Sequence, residues 1–205
     1  MAKFTDNLRN HLRYYAHFYV IITLLVSLLI HYLINIKVSP KKNEEITIYI
    51  ASYYTDDEAI KKLILDNIND DIINVKVLSY DITDAYFGTT LNSVAVTDTD
   101  IIIIPQEYAT EKLVVPYFAN LNSYNLNDVN KYIFNNNFYG IEIYDKNNND
   151  NFLSEIITFN SDDSNHEKYY LFVNKDTVNF NSVVTTNYKD NSNYVDDVIK
   201  ILLGW

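Results

Sequence analysis

From Phe18 to Ile34 the chain reads FYVIITLLVSLLIHYLI, a run with no formal charge. No other stretch constrains the fold as strongly, because such a run must leave water along its whole length. Extended to Tyr14 and Ile36 it forms a helix of about 34 Å at ~1.5 Å per residue, enough for the ~30 Å hydrocarbon core of a bilayer. Tyr14, Tyr15, Phe18 and Tyr19 at one end and Tyr32 at the other suit the interfaces, where an aromatic body meets a polar tip. A cleaved signal peptide would have a shorter apolar core and small residues after it. Here the run is followed by NIKVSPKK, with no A-x-A-like pattern, so a retained anchor is expected. His31, in the last turns of the run, reads as an interfacial or neutral histidine.

The remaining charge is unevenly distributed. Residues 1–40 carry Lys3, Arg9, Arg13 and Lys37 against Asp6, and residues 41–205 hold the rest, a balance of −14 within a total of −11. An acidic domain repels phosphate backbones, so no nucleic-acid role is expected. Lys3, Arg9 and Arg13 precede the apolar run, and Lys37, Lys41 and Lys42 follow it, so the basic residues tie at three on each side. A long acidic domain crosses a membrane largely regardless of charge, which favours residues 1–13 in the cytoplasm and the domain outside. The expected organisation is a short cytoplasmic segment (1–13), a transmembrane helix (14–36), a linker (37–45) and an extracytoplasmic domain (46–205). The chain has no cysteine, which excludes disulfides, thiolate metal sites, a cysteine nucleophile and a lipidated cysteine.

Within the domain, strand and helix signals alternate. Ile46–Ala51 (ITIYIA) is a nearly continuous β-branched run, as for a strand buried on both faces. Thr55-Asp56-Asp57-Glu58 is an N-cap signature opening a helix expected to end near Asn69. Val75–Tyr80 alternates as a strand, and Asp84–Thr97 holds a short helix. Asp100–Pro105 (DIIIIP) reads as the centre of a parallel sheet, and Glu107–Ala119 has helical spacing interrupted at Pro116. Tyr139–Tyr144 and Tyr169–Val173 read as later strands, with an Asn/Asp-rich loop around a short β segment, LSEIITF, between them. Val195–Leu203 is an amphipathic terminal helix. The pattern predicts an α/β domain: three layers, a mostly parallel sheet with one antiparallel member, and helices on both faces.

The common catalytic signatures are missing. With only Gly88, Gly140 and Gly204, neither a phosphate loop nor a dinucleotide fingerprint can be assembled. His166 is the one histidine beyond the anchor and lies in a polar run, which predicts an exposed side chain. Asp145, Asn147 and Asn149 match the first oxygen positions of an EF-hand loop, but Asp150 stands where its glycine belongs and Ile156 where its closing glutamate belongs. Asn67, Asn69, Asp70 and Asp71 resemble such a loop less, and solvated turns are expected in both places. No enzymatic activity, metal or cofactor is expected.

The segments ITIYIASYYTDDEAIKKLI, DTDIIIIPQEYA, YFANLNSY, YGIEIY and YYLFVNKDTVNF, in that order, resemble one lobe of an extracytoplasmic solute-binding protein of the type 2 periplasmic-binding-protein-like kind. The whole chain resembles small membrane-anchored proteins of low-GC bacteria that carry such a reduced domain. Full binding proteins are roughly twice as long and close two lobes on their ligand. The resemblance implies a membrane-tethered ligand-binding-like module, associated with an ABC-type transport system and its permease. The alternative is a non-catalytic envelope interaction protein that docks on a transporter or other membrane partner. Ligands of open α/β sheets sit at the carboxyl ends of the strands, which points to Ser52, Tyr53, Tyr54, Gln106 and Glu107 and to a sugar or peptide stacked on tyrosine.

Overall fold

The computed structural model describes residues 2–38, 40–68, 72–124, 129–148, 152–160, 166–180 and 194–205. The expected helix end at Asn69, the acidic cluster around Asp70 and Asp71, and positions 149 and 150 of the EF-hand-like segment lie outside them. The chain divides into two compact units, Met1–Ser39 and Pro40–Trp205.

The first unit is one helix, α1 (Ala2–Val38). Its stretch Arg13–Leu33 is long and apolar enough to cross a membrane, a candidate span or signal anchor. No side chain from Tyr14 to Leu33 is buried by protein. Near its start the His11 imidazole bonds the Tyr19 hydroxyl at 2.8 Å, and His11 also packs on Tyr15 with ring centroids 4.7 Å apart.

In the second unit the isoleucine-rich runs become a six-stranded sheet. β1 (Glu45–Ser52) is followed by a two-residue strand β2 (Tyr54–Thr55) and α2 (Asp57–Leu65). Asp56, not Thr55, caps α2, its carboxylate accepting from the Ala59 N–H at 3.0 Å. β3 (Asn74–Asp81) leads through a short α3 (Phe87–Thr90), a π turn (Leu91–Ala95) and α4 (Val96–Asp98) to β4 (Ile101–Pro105). A 3-10 turn (Gln106–Tyr108) and α5 (Glu111–Tyr117) come next, with Pro116 in the last turn of α5. β5 (Lys131–Phe134), β6 (Asn137–Asp145), β7 (Ile157–Thr158), β8 (Lys168–Val173) and α6 (Tyr194–Leu203) complete the order.

The strands lie in the order β3-β1-β4-β8-β6-β5. β1 is parallel to β3 and β4, but the β4–β8, β8–β6 and β6–β5 pairs are antiparallel. The expectation of a mostly parallel sheet is therefore corrected: the sheet is mixed, parallel in one half and antiparallel in the other. An apolar run signals burial on both faces and carries no direction; here β5 and β6 form a hairpin and β8 returns between β6 and β4. β4 is central, with Ile101 to Ile104 fully buried, and it is the strand where the two halves meet. α2 packs on β3 and against α6.

The β5–β6 hairpin was not read from the sequence. Asn135 and Asn136 form its two-residue loop with φ of 47° and 62°, the left-handed region that a tight hairpin needs and asparagine tolerates. A register shift between Tyr132 and Ile133 skips Tyr139, which marks a bulge on β6. One strand in, Gly140 lies opposite both Tyr132 and Phe172. Lacking a side chain, it lets those rings meet edge-on above it, with centroids 5.3 Å apart. Phe172 also stacks on Phe118 at 4.7 Å, so it cannot swing away.

A Cβ at Gly140 would fall 2.6 Å from Phe172 Cε1 and 3.1 Å from the Leu171 carbonyl oxygen. Gly140→Ala gains about 0.5–1 kcal/mol of backbone entropy and costs about 1–3 kcal/mol of overpacking. The overpacking is expected to win, lowering the denaturant midpoint in a urea titration; an unchanged or raised midpoint would contradict this packing.

Candidate functional site

The chain reverses direction across the sheet at β1: β3 lies to one side of it and β4 to the other. The carboxyl ends of β1 and β4 therefore flank a topological switch point. A clasp fixes the loop that leaves β1. Tyr53 N–H donates to the Thr158 carbonyl and Asp56 N–H to that of Ile156, both at 3.0 Å, while β2 pairs antiparallel with β7.

The five residues expected at this end part company. Ser52 is buried, its hydroxyl 2.7 Å from that of Thr55. Tyr54 is 64% exposed on β2, and Gln106 is exposed at the start of the 3-10 turn. Tyr53 and Glu107 are brought together, and the group that joins them is His166. The imidazole Nδ1 of His166 contacts Glu107 Oε1 in a hydrogen bond. The rings of Tyr53, Tyr108 and Tyr169 each lie with centroids 6.2 Å from it. Tyr108 is steadied in turn by an edge-on contact with Phe87 at 4.8 Å.

The expected exposed His166 is corrected: its side chain is 17% exposed, because tyrosines distant in sequence enclose it. A carboxylate only accepts, so the neutral ring carries its proton on Nδ1 and leaves Nε2 as an acceptor. Burial holds the imidazolium below its ordinary range. Neither His166 nor Tyr108 was among the residues expected here. The signals available were that His166 is the domain's one histidine and that Tyr108 follows Glu107 directly.

The opposite ends of the parallel strands hold a second feature, a polar cleft of about 490 Å³. It opens at the amino ends of β1 and β4 and runs along β3 past Lys76, Leu78 and Tyr80. Its floor is Asp100. One carboxylate oxygen accepts from the Thr47 N–H at 2.7 Å; the other accepts from the Thr177 hydroxyl and from Asn179 Nδ2 at 3.2 Å. Asn179 Nδ2 also reaches the carbonyls of Lys42 and Glu45, at 3.1 and 2.9 Å. Burial raises the Asp100 pKa, partly offset by the hydrogen bonds from Thr177, Thr47 and Asn179.

The EF-hand-like segment is a turn where it is described: Asp145 accepts from the Asn147 N–H at 2.9 Å and from Lys168 at 2.9 Å. Lys168 also bonds Glu142 at 2.6 Å, and these partners raise its pKa. Among the described residues no group of three or more His, Cys, Asp or Glu side chains could hold a metal ion. Compared with protein-family models, curated proteins and solved structures, the chain matches none.

Two outcomes are expected. Asp100→Ala strands the Thr47 N–H and the Thr177 and Asn179 donors, and should lower unfolding free energy by at least about 2 kcal/mol in chemical denaturation. The His166 ring should titrate below ~6.5 when followed by NMR. Its neutral form then supports the fold fully above ~6.5, and that support fades as pH falls from there toward the folded value. A midpoint above ~6.5 would mean that the Glu107 carboxylate outweighs burial.

Proposed function

We propose that this chain is a membrane-tethered, extracytoplasmic ligand-binding module whose domain corresponds to a single solute-binding-protein-like lobe, with helices on both faces of its sheet. The observation that carries the reading is the convergence of Tyr53, Tyr108 and Tyr169 on the Glu107–His166 pair at the switch point. Aromatic rings offer flat apolar faces, while Nε2 and the half-exposed Glu107 carboxylate supply oriented acceptors. A sugar ring or a peptide presents hydroxyl or amide donors beside apolar faces, which is the matching chemistry. The candidate span Arg13–Leu33 supplies the tether, with its amino end in the cytoplasm.

A binding role is favoured over a catalytic one because, among the described residues, no nucleophile is bonded to the Glu107–His166 pair. Among the described residues no serine or threonine hydroxyl bonds His166, and the Ser52 hydroxyl is engaged with Thr55. Tyr54 and Tyr86, 64% and 74% exposed, both follow carboxyl ends of parallel strands. They favour the second reading, in which this rim docks on a permease of an ABC-type transporter or on another envelope protein.

The test uses the full chain in lipid nanodiscs, titrated with oligosaccharide and oligopeptide panels and followed by thermal shift. A ligand should raise the Tm, and Tyr108→Ala should weaken its binding by roughly tenfold, as expected for loss of about 1.4 kcal/mol. No shift with either panel, together with cross-linking of the wild-type chain to a permease through the Tyr54 rim, would replace the first reading with the second.

A further inference from the structure

The cleft at the amino ends of the strands is separate from the site proposed above, and its charges form an unusual set. Six charged side chains line it; Glu45 accepts from Asn74 Nδ2 and Asp100 from Thr47, Thr177 and Asn179, which leaves Lys42, Lys76, Asp98 and Asp176, two cations and two anions. None of the four forms an ion pair among the described residues, whereas Lys41, Lys61, Lys168 and Lys200 each do. Opposite charges that line one cavity without neutralising one another leave both signs available to a third group. On the floor, Asp100 is already committed to Thr47, Thr177 and Asn179, so it is a fixed wall and not a free ligand group. The Thr47 hydroxyl, also lining the cleft, makes no bond among the described residues.

We infer that this cleft binds a small zwitterion, an α-amino acid or a dipeptide, with its carboxylate toward Lys42 and Lys76 and its ammonium toward Asp98 and Asp176. A volume of about 490 Å³ lies in the range of small-molecule sites. A simple anion would meet two free carboxylates and a simple cation two free ammonium groups, so each gains less than a molecule carrying both. A neutral sugar would leave all four charges unanswered. The ligand stays small because Val94, Val178 and Leu78 narrow the remaining wall.

The experiment is calorimetry on the full chain in nanodiscs with dialanine as the probe. N-acetyl-dialanine and dialanine amide remove one charge each, and maltose serves as the neutral control. Dialanine should bind with a Kd on the order of 0.1–1 mM, and each capped form should bind roughly tenfold more weakly. Lys76→Gln should weaken dialanine several-fold and leave dialanine amide nearly unchanged, because it removes the partner of the carboxylate the amide already lacks. Asp176→Asn should show the mirror pattern with N-acetyl-dialanine. Both residues are on the surface of the cleft, and circular dichroism checks that the variants fold. Equal binding of the capped and free peptides, or no heat with dialanine up to about 10 mM, would overturn the inference. Tyr108→Ala should leave dialanine binding unchanged; a loss there would place the peptide at the other end of the sheet and would equally overturn it.

Discussion

The two halves of the sheet are held in register by what surrounds one carboxylate. Asp100 precedes β4 and reaches both neighbours: its backbone N–H donates to the Thr47 carbonyl of β1 at 2.8 Å, and its own carbonyl accepts from Asn174 N–H, just past β8, at 2.9 Å. Its side chain repeats the pattern, taking the Thr47 N–H on one oxygen and the Thr177 and Asn179 side chains on the other. A buried carboxylate without partners would be intolerable, so its presence requires these donors to be in place together. Because Asn179 also holds the carbonyls of Lys42 and Glu45, the entry of the chain into the domain depends on the same node. The parallel half, the antiparallel half and residues 42–45 at the start of the domain are thereby one structural decision.

At the other end of the strands the order comes from aromatic packing and a backbone clasp. β2 and β7 are only two residues each, yet their pairing, with the flanking bonds at Tyr53 and Asp56, converts the loop after β1 into a fixed rim. That rim turns Tyr53 toward His166 and Tyr54 away from the domain, as adjacent residues of an extended strand must. Tyr169, fully buried below, donates its hydroxyl to the Phe159 carbonyl. The rings beside His166 therefore rest on a built floor.

Much of this was legible in the residues. The β1, β3, β4, β6 and β8 runs were visible because β-branched or aromatic residues crowd there, and the cap of α2 was visible within one residue. Strand direction was not, since Ile101–Ile104 would look the same beside a parallel or an antiparallel neighbour. β5 escaped because KYIF is short and half-exposed and its turn is Asn-Asn without glycine. At the candidate site, Tyr53 and Glu107 followed from the carboxyl-end rule. The burial of His166 did not, because it depends on tyrosines at 53, 108 and 169. The cleft had no local signature either: its walls come from residues 42–47, 76–80, 94–100 and 174–178, which only the fold assembles.

The bulge at Tyr139, opposite the Tyr132–Ile133 step, bears on how the outer edge of the sheet meets other chains. β5 is an outer strand, and Ile133 on it is 62% exposed, a combination that invites another chain to add itself by backbone pairing. The bulge at Tyr139 of β6 increases the local twist beneath that edge, and Lys131 places a charge on it, lying over the Phe138 ring at 5.1 Å. Under the tethered reading proposed above, domains confined to two dimensions would meet each other far more often than domains free in solution, and an edge that refuses sticky neighbours would keep them apart as individuals.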